Sequence, residues 1–359
     1  MVKNNHTFQT GFLLLLLLLS CSPAALRAQV SRRDLDGLER HRQSKQDVSV
    51  LQSIGDPDKS ERRWDTPLIG TWDFLDEPAE EEEEYELKKD FPEPRTLAER
   101  LLKLPKDLLI PFTPEVEQQI YTYTVSHANA MRTIIGKYKY YAPKMKKSFA
   151  ILGIPEELTA LCIVESAMNP QALSRTGARG LWQFMPETAA HYGMRCDDFV
   201  DQRLDISSST IAAAKYLKNA YNIFGDWALA ISSYNCGTLT VQKAIEKAGT
   251  TEFWSIYEYL PNETKAYMPA FIAALYTTVY YDKHNIIPRP YTEKQTNIFR
   301  ITRDMTFREI IKATNIPLEE LVKYNPQYQM YYIPGNDKPY YLRLPTQYAR
   351  KFKDNIKQA

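Results

Sequence analysis

The chain has 359 residues, enough for two domains, with 45 Lys and Arg against 44 Asp and Glu. A net charge of +1 argues against nucleic acid as the main partner. Four cysteines without metal-ligand spacing, no nucleotide loop and no serine triad leave no metal or cofactor expected.

Residues 1–28 have the pattern of an export signal: Lys3 supplies positive charge, Phe12 to Leu19 form an apolar core too short to span a bilayer, and small residues follow. Export to the periplasm is the expected localisation. Two processing routes stay open. Ala28 and Gln29 suit ordinary signal peptidase, which is the preferred reading. Leu18-Leu19-Ser20-Cys21 resembles a lipoprotein box, with a lipid anchor at Cys21. Residues 29–95 are polar, carry the acidic run Asp76 to Glu86, and are expected to be a disordered tether. Trp64, Trp72 and Phe74 within it could dock on the folded domain.

From 97 to 285 the patterning is helical with almost no strand signal, so a mainly α domain is expected. Thr113-Pro114-Glu115 suits a capped helix start, and a further helix is predicted from Pro143 to about Gly153. Another runs from Pro155 to Val164 and is expected to stop at Pro170. Glu165 then lies at the end of an apolar helix. The negative end of the helix dipole and the apolar neighbours both favour its protonated form there, which suits a general acid. A solvated glutamate at a helix end is the plain alternative. Ser209 to Tyr221, Asp226 to Tyr234, Thr240 to Ala248 and Glu263 to Asp282 are the later predicted helices. Cys162 is expected to be a buried thiol, while Cys196 and Cys236 could pair if the fold brings them close.

Four segments give Glu165 a context: Glu165-Ser166, Gly180-Leu181-Trp182-Gln183-Phe184-Met185-Pro186, Ser233-Tyr234-Asn235-Cys236-Gly237, and Glu263-Thr264-Lys265-Ala266-Tyr267. Their types and order resemble the motifs of lytic transglycosylases with a goose-lysozyme-like catalytic domain. The resemblance covers about 115–285. It implies a lysozyme-like domain over 97–285 acting on peptidoglycan glycan strands. Glu165 would protonate the bond between N-acetylmuramic acid and N-acetylglucosamine. It would then act as base on the muramic C6 hydroxyl, closing a 1,6-anhydro ring, with the substrate's N-acetyl group stabilising the cation.

The remaining motif residues have the chemistry for substrate binding. Ser166 can donate to a carbonyl. Gln183 and Asn235 match amide groups, and Tyr234 and Tyr267 can hydrogen-bond the acid. Each also has an ordinary structural use. Trp182 suits either a sugar ring or the core. Most glycosidases use two carboxylates, and the motifs supply only one assigned acid. Asp201, Asp205 and Asp226 are the nearest others in sequence and are expected to be structural, Asp205 by supporting a helix start or pairing with Arg203. A muramidase of the same fold, or an inactive wall-binding scaffold, are the rival readings.

Pro288-Arg289-Pro290 marks a linker. Beyond it, Ile298 to Ile301, Phe307 to Ala313, Leu318 to Tyr324 and Tyr340 to Pro345 give a strand–helix–helix–strand order. With Asn325-Pro326 and Leu342-x-Leu344-Pro345, residues 298–345 resemble a small βααβ LysM-like glycan-binding module. The segment departs from that pattern at Thr302 to Thr306, where such modules carry Gly-Asp-Thr, so glycan binding and plain packing both stay open. The module is expected to fold separately and to assist wall binding without doing chemistry.

Overall fold

The structure, a computed structural model, describes residues 91–105, 108 and 111–356. The export signal, Cys21, the acidic run and Trp64, Trp72 and Phe74 lie outside the described residues. The last tether residues are described: Phe91 meets Tyr121 edge-on, ring centroids 5.1 Å apart, and helix α1 (Pro94–Leu101) follows. Helix α2 (Pro114–Tyr121) begins as its sequence suggests, with Thr113 Oγ1 accepting the Val116 N–H at 3.3 Å. A π-helical stretch, Thr122–Ser126, leads into α3 (Ala128–Ile151). The expected helix start at Pro143 is corrected here: Pro143 lies inside α3. Its ring removes one main-chain donor without ending the helix, because buried Tyr138, Tyr141, Met145 and Phe149 carry the apolar face across it.

A 3₁₀ turn, Glu156–Ala160, precedes α4 (Leu161–Ser166). Then come α5 (Pro186–His191), α6 (Ile206–Phe224), α7 (Trp227–Cys236), α8 (Thr238–Ala248), α9 (Phe253–Ile256) and α10 (Asn262–Tyr280). Local chemistry sets several boundaries. Asp205 and Asp226 cap α6 and α7 by accepting from Ser208 and Leu229 N–H at 2.7 and 2.9 Å. Helix α10 is buried continuously from Tyr267 to Thr277, as a helix without a polar face must be. It packs against α2, α4 and α7. Among the described residues no helix is long and apolar enough to cross a membrane. Cys162, Cys196 and Cys236 form no disulfide, so the open pairing of Cys196 with Cys236 is not made. Burial raises the Cys162 thiol well above its ordinary value.

The C-terminal end of α10 is tied to α1 by a buried polar cluster. Tyr276 Oη lies 2.9 Å from His284 Nε2, and Arg100 donates to Tyr276 Oη at 2.8 Å. Burial first, then the Arg100 charge, pushes the His284 pKa down from 6.5 to about 4. The folded protein therefore holds His284 neutral where the unfolded chain already takes a proton. Stability from this site is complete above pH 6.5 and is lost as pH falls towards about 4. At about 1.4 kcal/mol for each tenfold change in proton affinity, the whole effect is on the order of 3 kcal/mol. Thermal melts of the wild type and His284→Gln should therefore converge on acidification. Parallel pH profiles would refute this assignment.

The C-terminal module pairs β1 (Thr296–Ile301) antiparallel with β4 (Tyr340–Pro345), Ile298 opposite Arg343. Two short strands, β2 (Asp304–Thr306) and β3 (Tyr332–Pro334), form a second antiparallel pair. Helices α11 (Phe307–Thr314) and α12 (Leu318–Tyr324) lie between β2 and β3 in the chain. A capping box of Thr306 and Glu309 starts α11. Helix α13 (Thr346–Ile356) extends the module past the expected end at 345 and buries Ala349 and Phe352. The module core of Ile301, Phe307, Ile310, Leu321, Ile333, Leu342 and Leu344 also contains Val200, from the preceding domain. The linker lies against α3: Arg289 N donates to Arg132 O at 2.9 Å, and a Cβ on Gly136 would come within 1.9 Å of Arg289 O. Glu293 accepts from the Tyr141 and Tyr291 hydroxyls at 2.5 and 2.9 Å.

Candidate active site

Helix α4 presents Glu165 one residue before its end. The helix does not stop at Pro170 as expected. It stops because Ala167 and Met168 turn left-handed, with φ of 49° and 61°. This is an uncommon conformation for residues with a Cβ. Both are buried against the core, which holds them in it. Glu165 itself is half-buried, and Tyr267 of α10 donates its hydroxyl to Glu165 Oε1 at 2.5 Å.

Ser166 is fully buried, and its hydroxyl lies between two main-chain carbonyls, Cys162 O at 3.0 Å and Leu181 O at 2.9 Å. It links α4 to the 177–184 loop. Gln183 in that loop also has a left-handed backbone, φ 47°. Its amide nitrogen donates to Gly180 O at 2.8 Å and Ala172 O at 3.3 Å, which holds the side chain on the loop. The donors of that amide are therefore engaged, and the chemistry it has for a ligand is its carbonyl acceptor. Trp182 is core: it is wholly buried, stacks on Phe149 with centroids 5.6 Å apart, and donates to Thr210 Oγ1 at 3.0 Å.

From α7, half-buried Tyr234 donates to Trp182 O at 2.9 Å, fixing the loop from the other side. Asn235 is bound to the start of α10, its Nδ2 donating to Glu263 Oε1 at 3.1 Å and its Oδ1 accepting from Thr264 Oγ1 at 2.7 Å. The four motif segments thus share one network of hydrogen bonds, although they come from α4, a loop, α7 and α10. Burial, then the nearby Glu165 charge, raises the phenols of Tyr234 and Tyr267 well above their ordinary values. Both stay protonated donors at any working pH. Sequence reasoning gave no part to Glu263 and Thr264, although both stand in the last motif. It also missed Tyr216, whose ring packs on Tyr234 with centroids 5.0 Å apart, and Tyr192, which packs on Tyr216 with centroids 5.4 Å apart. Aromatic residues on neighbouring helices carry no shared spacing, so only the fold joins them.

The three aspartates nearest in sequence are engaged elsewhere. Arg203 binds Asp201 through Nε and Nη2 at 2.9 and 2.8 Å, and Arg179 adds a third contact at 3.1 Å. Burial opposes the Asp201 charge, but the Arg203 hydrogen bonds and charge hold its carboxyl below the usual range. Asp205 caps α6 and pairs with Arg343, and Asp226 caps α7. The expected alternative pairing of Asp205 with Arg203 is made instead by Asp201. Among the described residues no group of His, Cys, Asp and Glu is arranged to hold a metal ion.

The family description Transglycosylase SLT domain matches residues 147–257, which contain α4, the Gln183 loop and Tyr234-Asn235. The chain's C-terminal part, residues 295–359, matches the description Lytic transglycosylase MltD, LysM-like domain. The chain is 29% identical over 248 residues to membrane-bound lytic murein transglycosylase D of Escherichia coli K12, covering 67% of this chain and 53% of that protein. It therefore spans about half the length of the curated relative it matches. Among solved structures, the 70 kDa soluble lytic transglycosylase of Escherichia coli aligns with a TM-score of 0.36 at 21% identity, over 68% of this chain and 44% of that one. An inactive mutant of the lytic transglycosylase Slt of Pseudomonas aeruginosa aligns with a TM-score of 0.33 at 24% identity, over 42% and 25%.

Proposed function

We propose that the chain is a peptidoglycan lytic transglycosylase. It cleaves the β-1,4 bond between N-acetylmuramic acid and N-acetylglucosamine and leaves 1,6-anhydromuramic ends. The observation that carries this reading is Glu165 at the junction of the four motif segments, held at Oε1 by Tyr267, while Asp201, Asp205 and Asp226 are engaged elsewhere. One acid is enough where the substrate supplies its own nucleophile. Glu165 gives its proton to the leaving oxygen. The substrate N-acetyl oxygen stabilises the developing cation, and the Glu165 anion then takes the proton of the muramic C6 hydroxyl as that oxygen closes on C1. The Tyr267 phenol fixes the carboxyl and supports the anion between the two half-reactions.

In this reading Gln183 accepts from an N-acetyl N–H, and Asn235 serves the substrate amides from the end of α7, where Glu263 and Thr264 of α10 hold it. Ser166 and Tyr234 set the loop that carries Gln183. Export to the periplasm belongs to the same reading, with soluble release or lipidation at Cys21 as its two forms. The relative in Escherichia coli is named as membrane-bound. The test is to incubate residues 29–359 with purified sacculi and weigh the released muropeptides. Products should be lighter by one water than hydrolysis products. Reducing muramic ends as the main product would favour the muramidase rival, and binding without release would favour the inactive scaffold.

A further inference from the structure

Among the described residues, the segment 195–207 carries hydrogen bonds between the helical domain and the LysM-like module. Val200 is wholly buried in the module core and forms an antiparallel bridge with Tyr328. Asp201 N donates to Gln327 O and Gln329 N donates to Phe199 O, both at 2.8 Å. The segment is pinned at both ends. Arg195 donates to the Tyr340 hydroxyl at 2.7 Å and to Asp337 at 2.8 Å. Arg343 binds Asp205 and reaches Ser207 Oγ at 3.2 Å. Main-chain pairing, a shared core residue and two arginine clasps make this a built interface and not a touching of surfaces.

The other side of the same segment faces the active-site loop. Arg203, held by Asp201, donates through Nη1 to Gly177 O at 2.7 Å and Phe184 O at 3.1 Å. These carbonyls bound the loop that carries Gly180, Trp182 and Gln183. Arg203 and Asp201 are 8% and 4% exposed, so neither arginine nor aspartate can exchange these partners for water without local opening.

We propose that the LysM-like module is a positioning element of the catalytic centre: it holds the 195–205 segment, and Arg203 transmits that placement to the Gln183 loop. Its significance for turnover rests on the lytic reading of the site. A chain cut after Pro288 would then lose more than wall binding. It would uncover Val200 and leave the Asp201–Arg203 pair without the main-chain bond from Gln327.

The test uses the full chain and the variants Val200→Ala and Arg343→Ala, with Arg343→Lys as the conservative partner. Amide hydrogen exchange reads the coupling directly. Protection of residues 177–184 should fall by about tenfold or more in both alanine variants, while α7 and α10 keep theirs, and Arg343→Lys should recover most of it. On a short soluble glycan the alanine variants should lose about tenfold in kcat with little change in KM, because the loop is misplaced and the substrate contacts remain. Should Val200→Ala fail to fold, Arg343→Ala decides alone. Unchanged exchange at 177–184, or faster exchange with unaltered kcat, overturns the proposal. So does a loss of activity confined to intact sacculi. An unsubstituted chain with no turnover on any glycan defeats the lytic reading, and the exchange pattern still decides the coupling.

Discussion

Glu165→Gln should lower glycan cleavage by about 10²- to 10⁴-fold or more while the protein melts as the wild type does. The substitution keeps the side-chain shape and an acceptor oxygen for the Tyr267 hydroxyl, so the bond at 2.5 Å between α4 and α10 has a partner in the variant. What it removes is the transferable proton. One residue serves both half-reactions in the proposed mechanism, so the loss should stand at the upper end of that range. Glycan binding should survive, because Gln183 and Asn235 are held by Gly180, Ala172, Glu263 and Thr264 and not by Glu165. Single-turnover rates on sacculi, with binding measured separately by co-sedimentation, check both halves. Near-normal turnover would refute the mechanism altogether.

The expected behaviour of Asp201→Asn is different in kind. Asp201 touches no motif side chain and is bound to Arg203 and Arg179, so its loss should act on the placement of the 177–184 loop and on stability. The different placements of Glu165, near a helix end, and of Asp205 and Asp226, at helix starts, were legible in the sequence, and the reason is local. An acidic residue at the end of an apolar helix is a chemical oddity, whereas Asp205 and Asp226 stand where helix starts want a cap. The Thr113 and Gly249 boundaries were legible for the same reason, since caps act within a few residues. Gly249 turns left-handed, φ 68°, at the end of α8.

What was not legible is what depends on distant residues. Helix α3 runs through Pro143 because its buried face is continuous, and helix α4 ends on Ala167 and Met168, which no turn rule would choose. Tertiary packing decides both. The clasp of the module on the 195–205 segment joins residues more than a hundred positions apart and leaves no periodicity. One signal was present: Phe199 and Val200 are an isolated apolar pair among Asp197, Asp198 and Asp201, in a stretch with no helical or strand repeat to bury them. Helix α13 could also have been found, because Tyr348, Phe352 and Ile356 recur at helical spacing after Pro345.

Gly180→Ala should cripple the site without touching a chemical group. Gly180 has φ +82°, and a Cβ there would come within 2.0 Å of Arg203 O and 2.8 Å of Arg203 C. These are main-chain atoms at a residue locked to Asp201, so no rotamer relieves the overlap and the loop or the 195–205 segment must shift. Gly180 N also donates to Ala172 O at 2.8 Å, and Gly180 O accepts from Gln183 Nε2 at 2.8 Å. Displacing this residue therefore moves the Gln183 amide with it. Misplacement on the order of 1 Å can lower turnover about 10²-fold, and that is the loss expected here. Gly177→Ala supplies the control. Gly177 has φ +90° as well, but nothing lies within 4 Å of its added Cβ. It should carry only the left-handed strain, about 1–3 kcal/mol, with turnover nearly intact. Gly180→Ala carries the same strain plus the overlap, so it should be the less stable of the two by urea unfolding and by far the slower on glycan. Equal stability and equal turnover of the two variants would mean that the close approach of Arg203 does not set the loop.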